Sequence, residues 1–517
     1  MKSLTQPRPA WNDAPRAPIL KLRGMKLREV LSGIDVVGMA GSAETDIVAI
    51  ACDSRNVVPG TLFVALPGFK TDGNLFVREA LARGAAAIVS QAPPPEPLPS
   101  AAWIQTDLPR RALALTAAIF YGHPAESLRL VGITGTNGKT TTAYLLDSIL
   151  QAAGLVAGLA GTVEWRTPAG THPSSNTTPE SLHLQRMLAE VRDAGGSHAV
   201  LEVSSHSLMM DRLWGCHFAV AVFTNLTRDH LDYHNDLENY FAAKRRLFEG
   251  TGAGAPDVAV INTDDPRGVL LTGLAGRTLT YGLRNGAQIT ARKVQSSWEG
   301  LEFTAQTPAG KFEVRSSLTA RINVYNILAA IAAALALEVP LPVIEKGIAQ
   351  LESVSGRFQR VDEGQPFLVV VDYAHTDDAL RNVITTAREL NPAGRIITLF
   401  GPGGEKDRTK RPLMGEAAGS LSDLVILTSD NPRSEDPLLI INDVLVGMQK
   451  VDGNYRIELD RERAIEIAFA EALPGDTVLL AGKGHETVQI LKDQTLEFDD
   501  RVAARRILRQ CGYRKTR

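Results

Sequence analysis

A glycine-rich turn at residues 132–142 (GITGTNGKTTT) constrains the fold of this chain more than any other segment. It follows the strand-like run 128–131 and leads into a helix-like stretch at 143–153. Strand, glycine-rich turn, Lys-Thr and helix form a phosphate-binding loop, in which backbone N–H groups and the helix start face the phosphates. The strict pattern has glycine at 133, where Ile133 stands. A simple glycine turn is the alternative, but the Gly-Lys-Thr context favours ATP, with Lys139 on phosphate and Thr140 on Mg²⁺.

The composition is that of an ordinary globular protein. The chain has 517 residues, enough for about three domains, with 44% hydrophobic and 22% charged residues. A formal net charge of −3 gives no sign of a basic surface for nucleic acid. The three cysteines, Cys52, Cys216 and Cys511, are far apart and indicate a reducing compartment.

The termini and apolar stretches predict a cytoplasmic protein with no membrane insertion. The longest apolar run, 327–337, is far shorter than the ~20 residues that a membrane helix needs. Residues 1–20 carry four prolines and no apolar core, so residues 1–24 are predicted to be a disordered tail and not a signal peptide. We expect a monomer.

Hydrophobic patterning divides the rest of the chain into three α/β segments, at 25–125, 126–355 and 356–517. Continuous apolar runs such as 198–203 (HAVLEV), 218–224 (FAVAVFT) and 367–371 (FLVVV) alternate with helical stretches, which predicts parallel sheets. Residues 287–318 alternate apolar and polar around turns, which predicts antiparallel hairpins. Because ligands bind beyond the carboxyl ends of parallel strands, the loops that follow the strands are the places to look for a site.

Two candidates follow strands of the central segment. Glu202 stands late in the run 198–203 and is a plausible Mg²⁺ ligand, although a solvated strand end is as good an explanation. The loop after the next strand holds two histidines and two aspartates, including Asp229 and His230, a mixture that suits Mg²⁺ or Mn²⁺ better than zinc.

Lys244 lies on the apolar stripe of the predicted helix at 236–248. A buried lysine loses its charge readily and its neutral amine is nucleophilic, whereas a lysine at such a position usually reaches out to solvent.

The last segment offers a second group. The strand 424–428 runs into Asp430-Asn431-Pro432-Arg433, which is either a plain turn or a site in which Arg433 grips a carboxylate with two hydrogen bonds. The glycine-rich basic loop 400–412 and the motif 482–486 (GKGHE) would likewise suit phosphate or carboxylate.

Together these motifs resemble the Mur ligase family, the ATP-dependent enzymes that add amino acids to the peptide stem of peptidoglycan precursors. The resemblance spans residues 25 to 512, and the family's own phosphate loop has the spelling GTNGKT found at 135–140. The segments 53–55 (DSR), 176–179 (NTTP) and 430–433 (DNPR) are similar to the member that joins an amino acid to UDP-N-acetylmuramoyl-L-alanyl-D-glutamate. The last motif resembles members that select meso-2,6-diaminopimelate over L-lysine.

The resemblance implies a three-domain α/β fold: a small N-terminal α/β domain for the UDP-substrate (25–125), a central phosphate-loop ATPase-like domain with a parallel sheet (126–355) and a Rossmann-like C-terminal domain for the amino acid (356–517). It implies ATP, Mg²⁺ and a CO₂-derived carbamate on Lys244 as cofactors, and an acyl-phosphate mechanism. The residues it assigns to catalysis are Lys139, Glu202, His230 and Lys244, and those it assigns to metal are Thr140, Glu202, His230 and carbamylated Lys244.

The resemblance also assigns binding residues by position. For ATP they are Gly135, Thr136, Asn137, Gly138, Lys139, Thr140, Thr141, Asn323, Arg357 and Asp372. For the UDP-substrate they are Cys52, Ser54, Phe69, Lys70, Thr71, Asn176, Thr177, Thr178, Ser204, Met210 and Arg212. For diaminopimelate they are Lys406, Asp430, Asn431, Pro432, Arg433, Gly482 and Glu486. Two positions depart from close relatives: Lys406 replaces an arginine and Met210 replaces a glutamine.

Three alternatives stay open at the level of sequence. The same ligase could add L-lysine, because Lys406 offers a point charge where arginine would offer a two-pronged contact. A ligase like folylpolyglutamate synthase shares the chemistry but lacks a counterpart of residues 25–120 and of the loop 430–433. A nucleotide-binding regulator would hydrolyse ATP without an amine acceptor.

Overall fold

The computed structural model describes residues 24–68, 71–97, 100–284 and 286–515. The tail predicted for residues 1–24 therefore lies, except for Gly24, outside the described residues. The chain forms three α/β domains, each with its own sheet, as the sequence predicts. No helix in the described ranges combines the length and the apolar character that a membrane crossing requires.

The N-terminal domain is built on a five-stranded sheet in the order β2-β7-β6-β5-β4, parallel except for β2. Strands β1 and β3 form a separate antiparallel pair. Its strands are β1 (Met25–Lys26), β2 (Gly38–Ala40), β3 (Asp46–Ile47), β4 (Ala49–Ala51), β5 (Thr61–Val64), β6 (Ala85–Ser90) and β7 (Ala102–Gln105), and its helices are α1 (Leu27–Val30), α2 (Val77–Ala82) and α3 (Pro109–Phe120).

The central domain has an eight-stranded sheet in the order β11-β10-β9-β12-β8-β13-β14-β15. Its elements are β8 (Arg129–Thr134), α4 (Lys139–Ala152), β9 (Ala157–Ala160), β10 (Glu164–Thr167), β11 (Gly170–Pro173), α5 (Ser181–Asp193), β12 (His198–Glu202), α6 (Ser205–Met209), β13 (Val220–Phe223), α7 (Leu231–His234), α8 (Leu237–Glu249), β14 (Val258–Asn262), α9 (Pro266–Val269), β15 (Arg277–Tyr281), β16 (Thr290–Ser297), β17 (Gly300–Thr307), β18 (Gly310–Ser316), α10 (Ile322–Ala336) and α11 (Leu341–Gln350).

Six neighbouring strands of this sheet, from β9 to β15, are parallel, so β8, β12 and β13 end at the same edge. The strands β12, β13 and β14 are buried along their whole length because helices cover both faces, which explains why the sequence reads as continuous apolar runs and not as alternation. The hairpins predicted at 287–318 are confirmed as the three-stranded antiparallel sheet β16-β17-β18. The antiparallel hairpin β10–β11 was not predicted from the sequence.

The C-terminal domain has a six-stranded sheet in the order β19-β20-β24-β21-β22-β23, in which only β19 is antiparallel. Beyond it, β25 and β26 form a hairpin. The elements are β19 (Gln359–Val361), β20 (Leu368–Asp372), α12 (Asp377–Leu390), β21 (Ile396–Phe400), α13 (Lys410–Leu421), β22 (Leu424–Leu427), α14 (Pro437–Lys450), β23 (Tyr455–Ile457), α15 (Arg461–Glu471), β24 (Thr477–Ala481), β25 (Val488–Ile490), β26 (Thr495–Glu497) and α16 (Asp500–Gln510).

Candidate active site

The phosphate loop joins β8 to α4, and backbone geometry explains its glycines. Gly138 caps α4 with φ +86°, a left-handed conformation that costs other residues free energy. A side chain at Gly138 would also collide with the amide of Asn326. Asn326 in turn donates to the side-chain oxygen of Asn323 over 2.9 Å, which connects Asn323 to the loop. Ile133, the residue that breaks the strict pattern, is a fully buried member of β8, so it belongs to the core and not to the turn.

Two lysines converge on one backbone oxygen of the loop. The ammonium of Lys139 donates to the carbonyl oxygens of Gly135 and Thr136 over 2.9 and 2.8 Å. Lys244, on α8, donates to the same Gly135 oxygen over 2.8 Å and lies 4.3 Å from the ring centre of Tyr240. Lys244 is 1% exposed, so of the two outcomes that the sequence leaves open its side chain is buried, and the more usual one, that it reaches solvent, is wrong here.

Burial lowers the pKa of both lysines. The pKa of Lys244 falls well below 10.5, first because the charged form is desolvated and then because Lys139 lies close by. The pKa of Lys139 is lowered by burial too, partly opposed by the charge of Glu202. A buried amine that deprotonates easily is a competent nucleophile.

Glu202 ends β12 beneath the phosphate loop and is fully buried, so it is not a solvated strand end. Its carboxylate accepts hydrogen bonds from the hydroxyls of Thr140 and Thr162, over 2.9 and 3.0 Å, and from the backbone N–H of Thr162 over 2.8 Å. The hydroxyl of Thr162 also lies 3.1 Å from that of Thr177. Thr162 follows β9 and was not singled out from the sequence, since a lone threonine after a strand carries no local signal.

Rings from α6 and α8 lie against His230, in the loop at 229–234. The His206 ring centre lies 4.9 Å from that of His230, and the Tyr240 ring centre lies 6.1 Å from it. Burial lowers the pKa of His230 to about 3, despite Asp229 at 3.4 Å, so the imidazole is neutral and able to act as a ligand.

Few side chains around the phosphate loop are of the kinds that usually bind metal ions. Within the described ranges, no group of three or more His, Cys, Asp or Glu lies close enough together to hold a metal ion. Oxygen donors do face one another at Thr140 and Glu202, which is the type of donor that Mg²⁺ takes alongside substrate phosphates.

The C-terminal domain reaches the phosphate loop directly. Arg357 donates to the Thr140 hydroxyl over 3.1 Å, and Asp378 accepts from the Asn137 amide over 3.0 Å. Asp372 accepts from the backbone N–H groups of Phe358 and Ala374, and burial raises its pKa. Residues of the central and C-terminal domains therefore both contact the phosphate loop. The contact through Asp378 was not predicted from the sequence.

A second cluster lies at the carboxyl edge of the C-terminal sheet. Asn431 donates to the carboxylate of Glu486 over 2.7 Å. The fully buried ammonium of Lys483 lies 3.2 Å from oxygens of Asp430 and of Asn431, and 3.6 Å from Glu486. Gly482 has φ +109° and faces Asp430. The structure thus brings the segments 430–433 and 482–486 together. Lys483 was part of the quoted GKGHE motif but was not assigned a role.

Arg433 closes this cluster on the side of the loop 400–412. It adopts φ +54°, and its guanidinium donates to the carbonyl oxygens of Gly404 and Asn431 over 2.6 and 3.4 Å. The charge of Arg433 reaches Lys406, whose pKa is lowered first by burial and then by Arg433. Two cations therefore share this edge of the cluster, an arrangement that suits an anionic group.

The residues predicted to bind the UDP-substrate lie on both sides of the boundary between the N-terminal and central domains. Thr178 donates to the backbone oxygen of Glu202 over 2.8 Å, and its hydroxyl lies 3.4 Å from that of Ser204. Arg212 donates to the carbonyl oxygen of Thr178 over 2.9 Å and pairs with Glu180 at 3.3 Å.

In the N-terminal domain, the hydroxyl of Ser54 donates to the carboxylate of Glu79 over 2.8 Å. The pKa of Cys52 is raised to about 12 by burial and by the nearby charges of Glu180 and Asp53. The sulfur of Met210 lies 3.7 Å from the Arg212 guanidinium. Asn176 is exposed, and its amide donates to the hydroxyl of Ser175 over 3.3 Å. Phe69 and Lys70 lie outside the described residues, and Thr71 follows them.

Comparison with protein families gives three matches that together cover most of the chain. Residues 46–143 match the model described as "Mur ligase family, catalytic domain". Residues 133–334 match the Mur ligase middle domain, and residues 356–484 match the Mur ligase glutamate ligase domain.

Curated relatives match over almost their whole length. The chain is 54% identical over 496 residues to a UDP-N-acetylmuramoyl-L-alanyl-D-glutamate--2,6-diaminopimelate ligase of Solibacter usitatus, covering 95% of this chain and 100% of the relative. It is 43% identical to the enzyme of the same name from Geobacillus thermodenitrificans, covering 94% of this chain and 100% of that one.

Solved structures agree on the fold. A UDP-N-acetylmuramoyl-L-alanyl-D-glutamate--2,6-diaminopimelate ligase superposes with a TM-score of 0.65 at 32% identity, covering 95% of this chain and 100% of that one. A folylpolyglutamate synthase from Mycobacterium tuberculosis has a TM-score of 0.59 at 18% identity over 72% of this chain and 93% of that one, a likeness in fold alone.

Proposed function

The chain belongs to the Mur ligase family, and from that premise we propose that it joins 2,6-diaminopimelate to the D-glutamate of UDP-N-acetylmuramoyl-L-alanyl-D-glutamate. The reaction consumes ATP, releases ADP and phosphate, and makes a precursor of peptidoglycan. The observation that carries this function is the 54% identity to a ligase of that name over 95% of the chain. The two polar clusters, one at each sheet edge, supply the two halves of such a reaction.

The first half is phosphoryl transfer to the D-glutamate γ-carboxylate. A carboxylate oxygen attacks the γ-phosphorus of ATP, the bond to the β–γ bridging oxygen breaks, and ADP leaves. Lys139 and the N–H groups at the start of α4 hold the phosphates and offset the charge that develops. Asn137 and Arg357 lie at the same loop, so we assign ATP binding to both. We assign it also to Gly135, Thr136, Gly138, Thr141, Asn323 and Asp372.

We assign Mg²⁺ to Thr140 and Glu202, whose oxygens are 2.9 Å apart beside the phosphate loop. Mg²⁺ bound with the ATP phosphates would neutralise the charge of the transferring group. His230 is a further proposed ligand, supported by the lowered pKa that keeps its imidazole neutral.

Lys244 is proposed to carry a carbamate. The ammonium would first lose one proton, and the neutral amine would then attack the carbon of CO₂ and lose a second, so the side chain changes from +1 to −1 overall. Full burial and the adjacent Lys139 support this change, because both disfavour the ammonium form. The product is an oxygen donor next to the Gly135 carbonyl, where a second Mg²⁺ could be held.

The second half is amide formation. The amine of the incoming amino acid attacks the acyl-phosphate carbon, phosphate leaves, and the nitrogen loses a proton. We place diaminopimelate at the cluster of 430–433 and 482–486, where Arg433 and Lys406 offer positive charge and Glu486 and Asp430 offer acceptors for an ammonium. Contacts of Arg357 and Asp378 with the phosphate loop would exclude water from the acyl phosphate.

The remaining assignments follow the domain layout. We propose that the N-terminal domain (25–125) binds the UDP end, the central domain (126–355) ATP and the C-terminal domain (356–517) the amino acid. Cys52, Ser54, Thr71, Asn176, Thr177, Thr178, Ser204, Met210 and Arg212 are assigned to the UDP-substrate, with Phe69 and Lys70 outside the described residues. UDP-linked precursors and ATP as substrates support a cytoplasmic location, and we propose a monomer.

The test is phosphate release with ATP, Mg²⁺ and the UDP-muramoyl-dipeptide, with no amine, meso-diaminopimelate or L-lysine. We expect phosphate release that depends on diaminopimelate, matched one to one by amide product in mass spectrometry. Preference for L-lysine would refute the amino-acid assignment. Release of phosphate that is independent of any amine would instead indicate a nucleotide-hydrolysing regulator. Glutamylation of a folate, offered with glutamate in a parallel reaction, would indicate a ligase like folylpolyglutamate synthase.

A further inference from the structure

A completely buried ion pair lies under the amino-acid cluster of the C-terminal domain. Arg461, the first residue of α15, donates to Asp500, the first residue of α16, through two nitrogens over 2.8 and 2.7 Å. Neither side chain is exposed. Burying two charges is costly, so a pair of this kind calls for an explanation beyond the pair itself.

The same guanidinium also binds two backbone oxygens. It donates to the carbonyl of Ala481, the last residue of β24, over 2.9 Å, and to that of Ser429, after β22, over 3.4 Å. These two strands are not neighbours, because β21 lies between them in the sheet. Arg461 therefore spans the width of one strand and links two loops that no ladder hydrogen bond joins directly.

The linked loops are those that carry the proposed amino-acid site. Asp430 and Asn431 follow Ser429 directly, and Gly482 follows Ala481. On the other side of the backbone, Lys483 and Glu486 join the loops again through Asp430 and Asn431. The planar fork of an arginine can serve a carboxylate and two carbonyls at once, whereas a lysine presents a single nitrogen.

We propose that Arg461, oriented by Asp500, is a positioning residue that sets the spacing of the segments 430–433 and 482–486 and thereby the affinity for the incoming amino acid. It acts through the side chains of those segments and not by contact with the amino acid. This inference rests on the proposed function for the identity of the ligand, but not for the spacing of the loops.

The chain offers a matched control at the opposite edge of the same sheet. Arg395, just before β21, donates through Nε to Asp476, just before β24, over 3.0 Å. It too binds a backbone oxygen, that of Glu471, over 2.7 Å. This pair ties the amino ends of the strands, away from the two loops, and Arg395 is 42% exposed, so Arg395→Lys controls for the loss of an Arg-Asp contact elsewhere in the same sheet.

The experiment compares Arg461→Lys and Asp500→Asn with Arg395→Lys in the full-length chain. For Arg461→Lys we expect the KM for the amino acid to rise at least about tenfold, while the KM values for ATP and the UDP-muramoyl-dipeptide stay within twofold. Asp500→Asn keeps the fork but loses its charged partner, so a smaller rise is expected. Arg395→Lys should leave all three KM values unchanged.

Hydrogen–deuterium exchange gives a readout that needs no turnover. Peptides covering 429–433 and 482–486 should exchange faster in Arg461→Lys and not in Arg395→Lys. Unchanged exchange in those peptides, or KM values that rise equally for all three substrates, would overturn the positioning role. A wild type that ligates no amine would refute the proposed function, while the exchange data would still decide the role of Arg461.

Discussion

Lys139 and Lys244 donate hydrogen bonds to the same backbone oxygen, that of Gly135, over 2.9 and 2.8 Å. The two ammonium groups share one acceptor, and the charge of Lys139 adds to desolvation in lowering the pKa of the buried Lys244. The repulsion between the two charges is relieved if one lysine loses its proton. We expect Lys244 to lose it, because its pKa is lowered further than that of Lys139.

Replacing Lys244 by alanine should therefore remove catalysis and not substrate binding. We expect ligation by Lys244→Ala to fall by about 10²-fold or more, the scale seen when a single electrostatic stabiliser of a transition state is lost. The dissociation constant of the UDP-muramoyl-dipeptide, measured by calorimetry, should change less than threefold.

Arg245→Ala is the matched control, because Arg245 is the next residue on α8 and pairs at the surface with Glu249 at 2.7 Å. Near-normal turnover of Lys244→Ala would eliminate the carbamate role of this lysine.

The lowered pKa of Lys244 also makes stability depend on pH. Between its folded pKa and 10.5 the unfolded chain binds the proton and the folded chain does not, so stability rises with pH in that window. Lys244→Met lacks this dependence. In CO₂-free buffer we expect the difference in thermal midpoint between Lys244→Met and the wild type to shrink as the pH rises toward 10.5.

Arg245→Met serves as the comparison for that series, since its exposed side chain should add no slope over the same range. An advantage of Lys244→Met that stays constant with pH would contradict a shifted, buried amine.

Arg433 should matter for the amino acid and not for ATP. Losing a charge-assisted hydrogen bond costs roughly 2–3 kcal/mol, so Arg433→Ala should raise the KM for diaminopimelate by about 30- to 150-fold. Steady-state phosphate release with each substrate varied in turn measures this. Arg408, which is exposed and pairs with Asp443 at 3.1 Å nearby, supplies the control Arg408→Ala. Equal increases for ATP and diaminopimelate would place Arg433 outside the amino-acid site.

Asp378 should protect the acyl phosphate from water. Its hydrogen bond to Asn137 fastens the C-terminal domain to the phosphate loop, so Asp378→Ala should loosen closure and admit water. We expect the ratio of phosphate released to amide formed to rise clearly above one, measured by parallel phosphate and mass-spectrometric assays. Arg381→Ala, on the same helix but directed toward Glu416, should keep the ratio at one. A ratio of one in Asp378→Ala would show that this contact does not seal the site.

Local patterns in the sequence predicted the parts of this protein that depend on one segment. The turn 132–142 identified the phosphate loop, and the periodicity of α8 put Lys244 on its apolar stripe, because both are properties of a few consecutive turns. The stripe alone left open whether the Lys244 side chain is buried or reaches solvent. The hairpin β10–β11 was missed because its strands are short and mostly only partly buried, so their sequences carry no strong apolar signal.

Side chains whose role depends on distant partners could not be predicted. Thr162 matters because Glu202 lies beside it, 40 residues away in sequence, and Arg461 because two separated strands end above it. Asp378 contacts Asn137 across a domain boundary. Such contacts are decided by how sheets and domains pack, which a single sequence does not display.

The span of the Arg461 guanidinium limits how this enzyme could be altered. The carbonyls of Ser429 and Ala481 are both bonded to one rigid guanidinium. Inserting or deleting residues at the start of either loop would therefore displace Arg461 and with it the start of the other loop. New amine substrates are therefore to be sought by exchanging side chains further along the loops, with their starting points left as they are. Libraries that vary loop length should contain far fewer folded members than libraries that vary composition.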